Sequence, residues 1–167
     1  MKIRNGFVSN SSSSSFLVAF PRNPKNLEDV QDMVFGIEKH FSQPYSDFDG
    51  WPADYTAEEI SQVIWDGVKK QIPNNRNIVL SAMHNVYDDY KAFEIPAKNP
   101  QYPGDYDYDY KGFEEANNKI VLDFMDTHKG CFFYCFEYSD NGEGHRGCAM
   151  EHGDLFHNLP HLVSSNH

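Results

Sequence analysis

Cysteine is scarce in this chain of 167 residues, and its scarcity excludes a disulfide framework. Cys131, Cys135 and Cys148 are too few and odd in number to staple a secreted domain, so a reducing, cytoplasmic setting is expected. Basic charge is short as well: 14 lysines and arginines stand against 25 acids, a formal net charge of −11. That sign opposes a protein that grips phosphate backbones, and no nucleic-acid partner is expected. Long apolar runs are also missing. Residues 16–20 fall below the roughly 7–15 residues that a signal-peptide core would need behind Lys2 and Arg4. No segment approaches the roughly 18 apolar residues of a membrane span, so a soluble chain without a membrane partner is expected.

What remains is enough for one α+β domain over residues 1–167, a length that buries roughly 70% of the surface of the unfolded chain. Residues 1–15 form a serine-rich entry, and the apolar run 16–20, stopped by Pro21, reads as a first strand. Asn26 stands at an N-cap position before Leu27, Val30, Val34, Ile37 and Phe41, whose spacing predicts a helix. Thr56 and Glu59 spell a capping box, and Ile60, Val63, Ile64, Val68 and Ile72 continue one apolar face as far as Pro73. Residues 78–84 fit both periods and are read as a strand, opened by Ile78, Val79 and Leu80.

Residues 96–110, with three prolines and a glycine, form a long acidic, tyrosine-rich loop. Helical spacing returns over 111–128 through Phe113, Ala116, Ile120 and Phe124, with Gly130 placed to close the helix. Residues 131–138 are strand-like, 139–144 are turn chemistry, and 145–152 are expected to return as the second strand of a hairpin. A turn of helix at 155–158 and a last strand at 161–164 follow. The expected architecture is three helices on one face of a small mixed or antiparallel sheet that holds the first strand and the C-terminal hairpin.

Chemistry concentrates near the end of the chain. In a hairpin centred on Asn141 and Gly142, Cys135 would face Cys148, Glu137 would face Arg146, and Cys131 would face His152. A zinc set of these residues fails on distance, since Cys131 and Cys135 lie about 13 Å apart along a strand at ~3.3 Å per residue. Thiols packed as small hydrophobes are the better reading. His152, His157 and His161, with Glu151 and Asp154 beside them, could supply imidazoles to a transition metal. Scattered or capping histidines are the structural alternative, and no His-Glu-x-x-His motif ties them together. No motif identifies a cofactor.

The serine tract admits three readings. Arg4, Ser11, Ser12 and Ser13, with Lys2 nearby, could form a nest for a phosphate or another anion. The serines could instead satisfy backbone groups at the strand entry or lie in a disordered arm, or the run could be a substrate for modification. A nucleophilic role lacks a Gly-x-Ser-x-Gly elbow or any other link to a base. The alternation Asp105, Tyr106, Asp107, Tyr108, Asp109, Tyr110 sets carboxylates that steer a basic partner beside rings that offer contact area, and its structural alternative is a solvated loop.

The opening Met1-Lys2-Ile3-Arg4-Asn5-Gly6-Phe7-Val8-Ser9-Asn10 followed by five serines and Phe16 closely resembles the start of a group of small, mostly uncharacterised proteins of bacteriophages and bacterial genomes. The resemblance covers about 16 residues and implies a phage or mobile-element setting, with no activity attached. The expected function is that of a non-enzymatic accessory protein, phage-associated, which binds another protein through its acidic tyrosine-rich surface. The alternative is a binder of a small anionic ligand or nucleotide, or an enzyme acting on one, that uses the serine tract and the C-terminal histidines.

Overall fold

The structure, a computed structural model, describes residues 13–42, 54–87, 89–139 and 146–165. At its centre lies β1 (Ser13–Phe20), flanked by β6 (Phe132–Ser139) and β7 (His161–Ser165), both antiparallel to it. Every residue of β1 after Ser13 is buried. A strand covered on both faces carries no alternation of apolar and polar residues, which is why 16–20 reads as a continuous apolar run. The strand starts three residues earlier than expected, because Ser14 and Ser15 are themselves buried in the sheet at 4% and 3% exposure.

Alternate β1 side chains serve two cores. Phe16, Val18 and Phe20 meet α1 (Leu27–Phe35), α2 (Ala57–Lys69) and α5 (Arg146–His152) through Val34, Ile60, Ile64 and Met150. Leu17 and Ala19 meet α3 (Arg76–Ala82) and α4 (Tyr110–Thr127) through Val79, Met83, Val121 and Met125. The α+β class holds, but five helices cover both faces of the sheet where three on one face were expected. Each fully buried Phe, Leu or Ile stabilises this sandwich by roughly 1.5–3 kcal/mol.

Local signals place several elements where the sequence puts them. Asn26 Oδ1 accepts from Asp29 N at 2.8 Å. Thr56 Oγ1 accepts from Glu59 N at 3.2 Å while Glu59 Oε2 accepts from Thr56 N at 2.9 Å, completing the capping box. Helix α1 is nevertheless shorter than its apolar spacing indicated. Gly36, at φ 58, ends it by donating to Asp32 O, which leaves Ile37 93% exposed and delivers Phe41 to a strand. That strand, β2 (His40–Ser42), pairs with β3 (Asp54–Thr56) and packs Phe41 on Phe35. Helix α2 likewise ends at Lys69, so Ile72 lies outside it and is exposed.

Three expectations are corrected. Residues 76–82 are helix rather than strand: Asn75 Oδ1 caps Ile78 N, and Val79 and Met83, four apart, turn inward while Ile78 faces out. The long excursion is not loop throughout, because β4 (Glu94–Pro96) and β5 (Tyr106–Tyr108) pair as a hairpin. Residues 146–152 form a helix, so β6 has no returning strand and the pairs Cys135/Cys148, Glu137/Arg146 and Cys131/His152 do not exist. Instead β6 pairs with β1, and the turn after α2 closes part of its outer edge. Asn74 N donates to Phe133 O at 3.1 Å and Asn74 Oδ1 accepts from Phe133 N at 2.8 Å. The last strand and the helix over 110–127 follow the sequence reading, but the helix is capped by His128, whose N–H donates to Phe124 O and Asp126 O, and Gly130 at φ 99 lies two residues beyond it.

Candidate functional site

The β4–β5 hairpin stands on its own cluster of rings. A 3-10 turn at Tyr90–Phe93 leads into β4, and Asp109 N donates to Phe93 O as the chain leaves β5 for α4. Phe113, in the first turns of α4, stacks on Tyr90 at 5.0 Å and meets Phe93 edge-on at 5.5 Å. Tyr87 and Tyr108 extend the cluster, and Tyr110 packs on Tyr108 at 4.9 Å. Aromatic pairs at such distances contribute about 0.5–1.5 kcal/mol each beyond area burial, enough to brace a short hairpin that could not stand alone.

Asn117 anchors this cluster to the domain. It is 1% exposed in the middle of α4, with its Oδ1 accepting from Val86 N at 2.7 Å and Tyr87 N at 3.2 Å, and its Nδ2 donating to Met83 O at 2.6 Å. Asn85, next in line, donates from its backbone to Ser164 Oγ and from its side chain to Ser165 O. The segment entering the hairpin is thus tied both to α4 and to β7.

Each aspartate of the Asp–Tyr alternation has a structural task. Asp105 Oδ2 accepts from Gln101 N and Tyr102 N, Asp107 Oδ2 accepts from Lys98 N, and Asp109 Oδ1 caps α4 by accepting from Gly112 N. The tyrosines divide. Tyr102, Tyr106 and Tyr110 are 71%, 60% and 76% exposed, whereas Tyr108 is half-buried with its Oη enclosed and without a hydrogen-bond partner among the described residues. Burial pushes the Tyr108 phenol up, as do, more weakly, Tyr90, Tyr110 and the carboxylates of Glu94 and Asp89. Two grooves flank the hairpin. One, of about 490 Å³, is lined by Ile95, Lys98, Tyr106, Asp107, Tyr108 and Tyr110; the other, of about 500 Å³, is walled by Pro96, Pro100, Tyr102 and Pro103.

A second constellation lies at one end of the sheet. Ser15 pairs with Glu137 on one side and Ser164 on the other, and these three side chains share the face of the sheet that carries α3. With Ser81 and His84 from the end of α3, Ser15 and Glu137 line a pocket of about 550 Å³. His84 Nδ1 lies 3.3 Å from Ser81 O. Neither Ser15 nor Glu137 hydrogen-bonds His84 among the described residues, so the contact by which a base activates a hydroxyl is not made. What the set offers is polar binding. Sequence reasoning missed it, because its members come from three separate stretches of the chain.

The other expected site residues are placed apart. Arg4, Ser11 and Ser12 lie outside the described residues, while Ser13 opens β1 opposite Ser139. His157 lies between Glu38 Oε1 and Asp154 O, both at 3.0 Å, and His161 Nδ1 faces Leu159 O at 2.9 Å. His152 has Glu151 Oε2 3.5 Å from its Nε2, on a carboxylate whose side chain is buried. Among the described residues no three His, Cys, Asp or Glu side chains gather as a metal-holding group. None of the three cysteines forms a disulfide among the described residues, and burial pushes Cys135 up to about 11. No helix among the described residues is long and apolar enough to cross a membrane. The chain matches no protein-family model, no curated protein and no solved structure.

Proposed function

We propose that this chain is a non-enzymatic accessory protein that binds another protein through the β4–β5 hairpin. The observation that carries the reading is the exposure of Tyr102 and Tyr106 on the hairpin and of Tyr110 at the adjoining start of α4, above a cluster of packed rings. Tyrosine offers large contact area at low entropic cost, and a braced backbone lowers the ordering penalty of association. The acidic residues around it would raise the rate of encounter with a basic partner. Phage association belongs to the same proposal and rests on the N-terminal resemblance.

The test compares capture from bacterial lysate, with and without phage infection, by the native chain and by the variant Tyr102→Ala/Tyr106→Ala/Tyr110→Ala. All three rings are exposed and, among the described residues, only Tyr110 gives up a ring contact, on Tyr108, so the variant should stay folded, which circular dichroism checks. Loss of a stoichiometric captured protein is expected. Equal capture by both proteins sinks the reading.

A second reading is favoured by the pocket of Ser15, Ser81, His84 and Glu137, which could hold a small polar ligand. Native mass spectrometry of protein purified from its own host reads this directly. A retained mass that His84→Ala and Glu137→Gln both abolish would establish it, and a clean apo mass would remove it.

A further inference from the structure

The two outer edges of the three-stranded sheet are unlike. The turn after α2 closes part of the β6 edge, where Asn74 bonds Phe133. Strand β7, the opposite edge, has no such cover among the described residues. Its hydrogen-bond phase follows from Ala19 N, which donates to Pro160 O at 2.9 Å. Backbone groups alternate in direction along an antiparallel strand, so Leu162 and Ser164, opposite Leu17 and Ser15, turn theirs toward β1. His161, Val163 and Ser165 turn theirs away. At one end of this outer row Ser165 O accepts from Asn85 Nδ2 at 3.1 Å. Just before the other end, Leu159 O lies 2.9 Å from His161 Nδ1 and Leu159 N donates to Phe156 O. Between these occupied ends, the backbone N–H and C=O of both His161 and Val163 point outward without a hydrogen-bond partner among the described residues.

Apolar side chains flank the open stretch on both faces. Val163, opposite Phe16, is 41% exposed, and Leu162, opposite Leu17, is half-buried at the rim of the core under α3 and α4. The usual guards of a sheet edge are lacking, since residues 161–165 hold no lysine, proline or acid. Charge then separates the possible occupants. A basic segment gains nothing from an edge without carboxylates. A second copy of a chain with net charge −11 is repelled over most of its surface, and at 161–165 two copies meet with no carboxylates opposed. The β6 edge, by contrast, carries Glu137 beside Asp66. The second copy also matches the edge group for group. A twofold axis beside Leu162 sets His161 of each copy against Val163 of the other, and the two N–H and two C=O groups that each copy offers close four hydrogen bonds. Moved to Val163, the axis would call on Ser165 O, which Asn85 already holds. We propose that β7 is the seat of a symmetric antiparallel dimer, in which two sheets join edge to edge in the order β6-β1-β7-β7-β1-β6.

A ladder confined to residues 161–163 belongs with weak, transient interfaces, so sedimentation equilibrium of the full chain should read one chain at about 0.01 mM and move toward two at about 1 mM. Hydrogen exchange reads the register. The amides of His161 and Val163 should slow at least about threefold over that range, while Glu137 N, which points out of the β6 edge as Cys135 N does, should not change. Val163→Pro removes an N–H that the fold does not use and deletes two of the four bonds, so association should weaken at least about tenfold. Val163→Lys places a charge at the exposed edge position and should do the same, although it lowers the net negative charge. Circular dichroism confirms that each variant is folded, and the lysine variant carries the test if the proline variant is not. A single-chain mass at about 1 mM overturns the proposal. So does a dimer that folded Val163 variants leave intact, or exchange that slows at Glu137 in place of His161 and Val163. Equal protection of His161 and Val163 at every concentration overturns it as well, because the edge would then be covered within one chain.

Discussion

The side-chain amide of Gln71 hydrogen-bonds Cys135 as a neighbouring strand would: its Nε2 donates to Cys135 O at 2.7 Å and its Oε1 accepts from Cys135 N at 3.0 Å. Asn74 meets Phe133 two residues along with its backbone N–H as donor and its side-chain Oδ1 as acceptor. Strand β6 is an edge of the three-stranded sheet, and edges with free N–H and C=O groups recruit other strands. The Gln71 amide and the Asn74 side chain and backbone, from one turn, blunt that edge without a fourth strand.

Gln71→Ala should therefore cost about 1–3 kcal/mol in chemical denaturation, since both Cys135 backbone groups lose their partner at a half-buried site. Gln71→Glu keeps an acceptor for Cys135 N but sets a carboxylate oxygen against Cys135 O, and should recover only part of the loss. Faster hydrogen exchange at Cys135 N is expected in Gln71→Ala, which removes its acceptor, and not in Gln71→Glu, which keeps one. An unchanged midpoint in Gln71→Ala would show that water replaces the amide at no cost.

Asn117→Ala should cost a similar ~1–3 kcal/mol by leaving Met83 O, Val86 N and Tyr87 N unsatisfied around a buried site. The loss should be local in its effects. Hydrogen exchange should quicken at Val86 and Tyr87, and the ring resonances of Tyr90 and Phe113 should broaden as the hairpin loosens its anchor, while the β1–β6 amides stay protected. Uniform loss of protection would place Asn117 in the global core instead.

Gly153 follows α5 without a positive φ, and its constraint is steric. A Cβ there would lie 2.4 Å from Ala149 O and 2.6 Å from Phe41 Cζ. The carbonyl belongs to the backbone and cannot swing aside. Gly153→Ala should destabilise by about 1–3 kcal/mol, as overpacking does, and should shift the Phe41 ring resonances. A neutral result would mean that β2 slides freely against α5.

His157 should titrate above the ordinary histidine range, chiefly because Glu38 Oε1 accepts from its ring; burial opposes this as the next-largest effect, and Asp154 O, accepting as well, adds a smaller rise. A pKa raised on folding favours the protonated folded form. Its contribution is fully present below the unfolded value near 6.5, is lost as pH rises through the folded value, and is gone above both. Both partners are partly exposed, so the effect on stability is small. An NMR titration of the His157 ring should show the raised value, and Glu38→Gln should bring it down. A titration unmoved by Glu38→Gln would assign the shift to Asp154.

Short-range signals carried most of what could be read from the chain. Asn26 and Thr56 with Glu59 act on backbone groups a few residues away, and their elements stand where the sequence puts them. Residues 146–152 could not be read this way, because Gly147, Cys148, Ala149 and Met150 are buried in succession and an unbroken apolar run has no period. Ile78, Val79 and Leu80 present the same difficulty, resolved only by the inward turn of Val79 toward β1. The hairpin tyrosines are visible in sequence as residues. The brace beneath them is not, since Asn117 reaches partners some thirty residues away, and the convergence of Ser15, His84 and Glu137 is a product of strand order.

The placement of β1 between β6 and β7 also fixes when the sheet can close during synthesis. The central strand is made early, yet its first neighbour begins at Phe132 and its second at His161. At roughly 5–20 residues per second, Phe16 to Phe20 wait for most of the chain to emerge before either edge can pair. Contacts so distant in sequence are slow to form and leave an apolar strand open to other chains in the meantime. Nascent chains stopped before Phe132 should be caught by holding chaperones, and release should coincide with the arrival of the C-terminal strands.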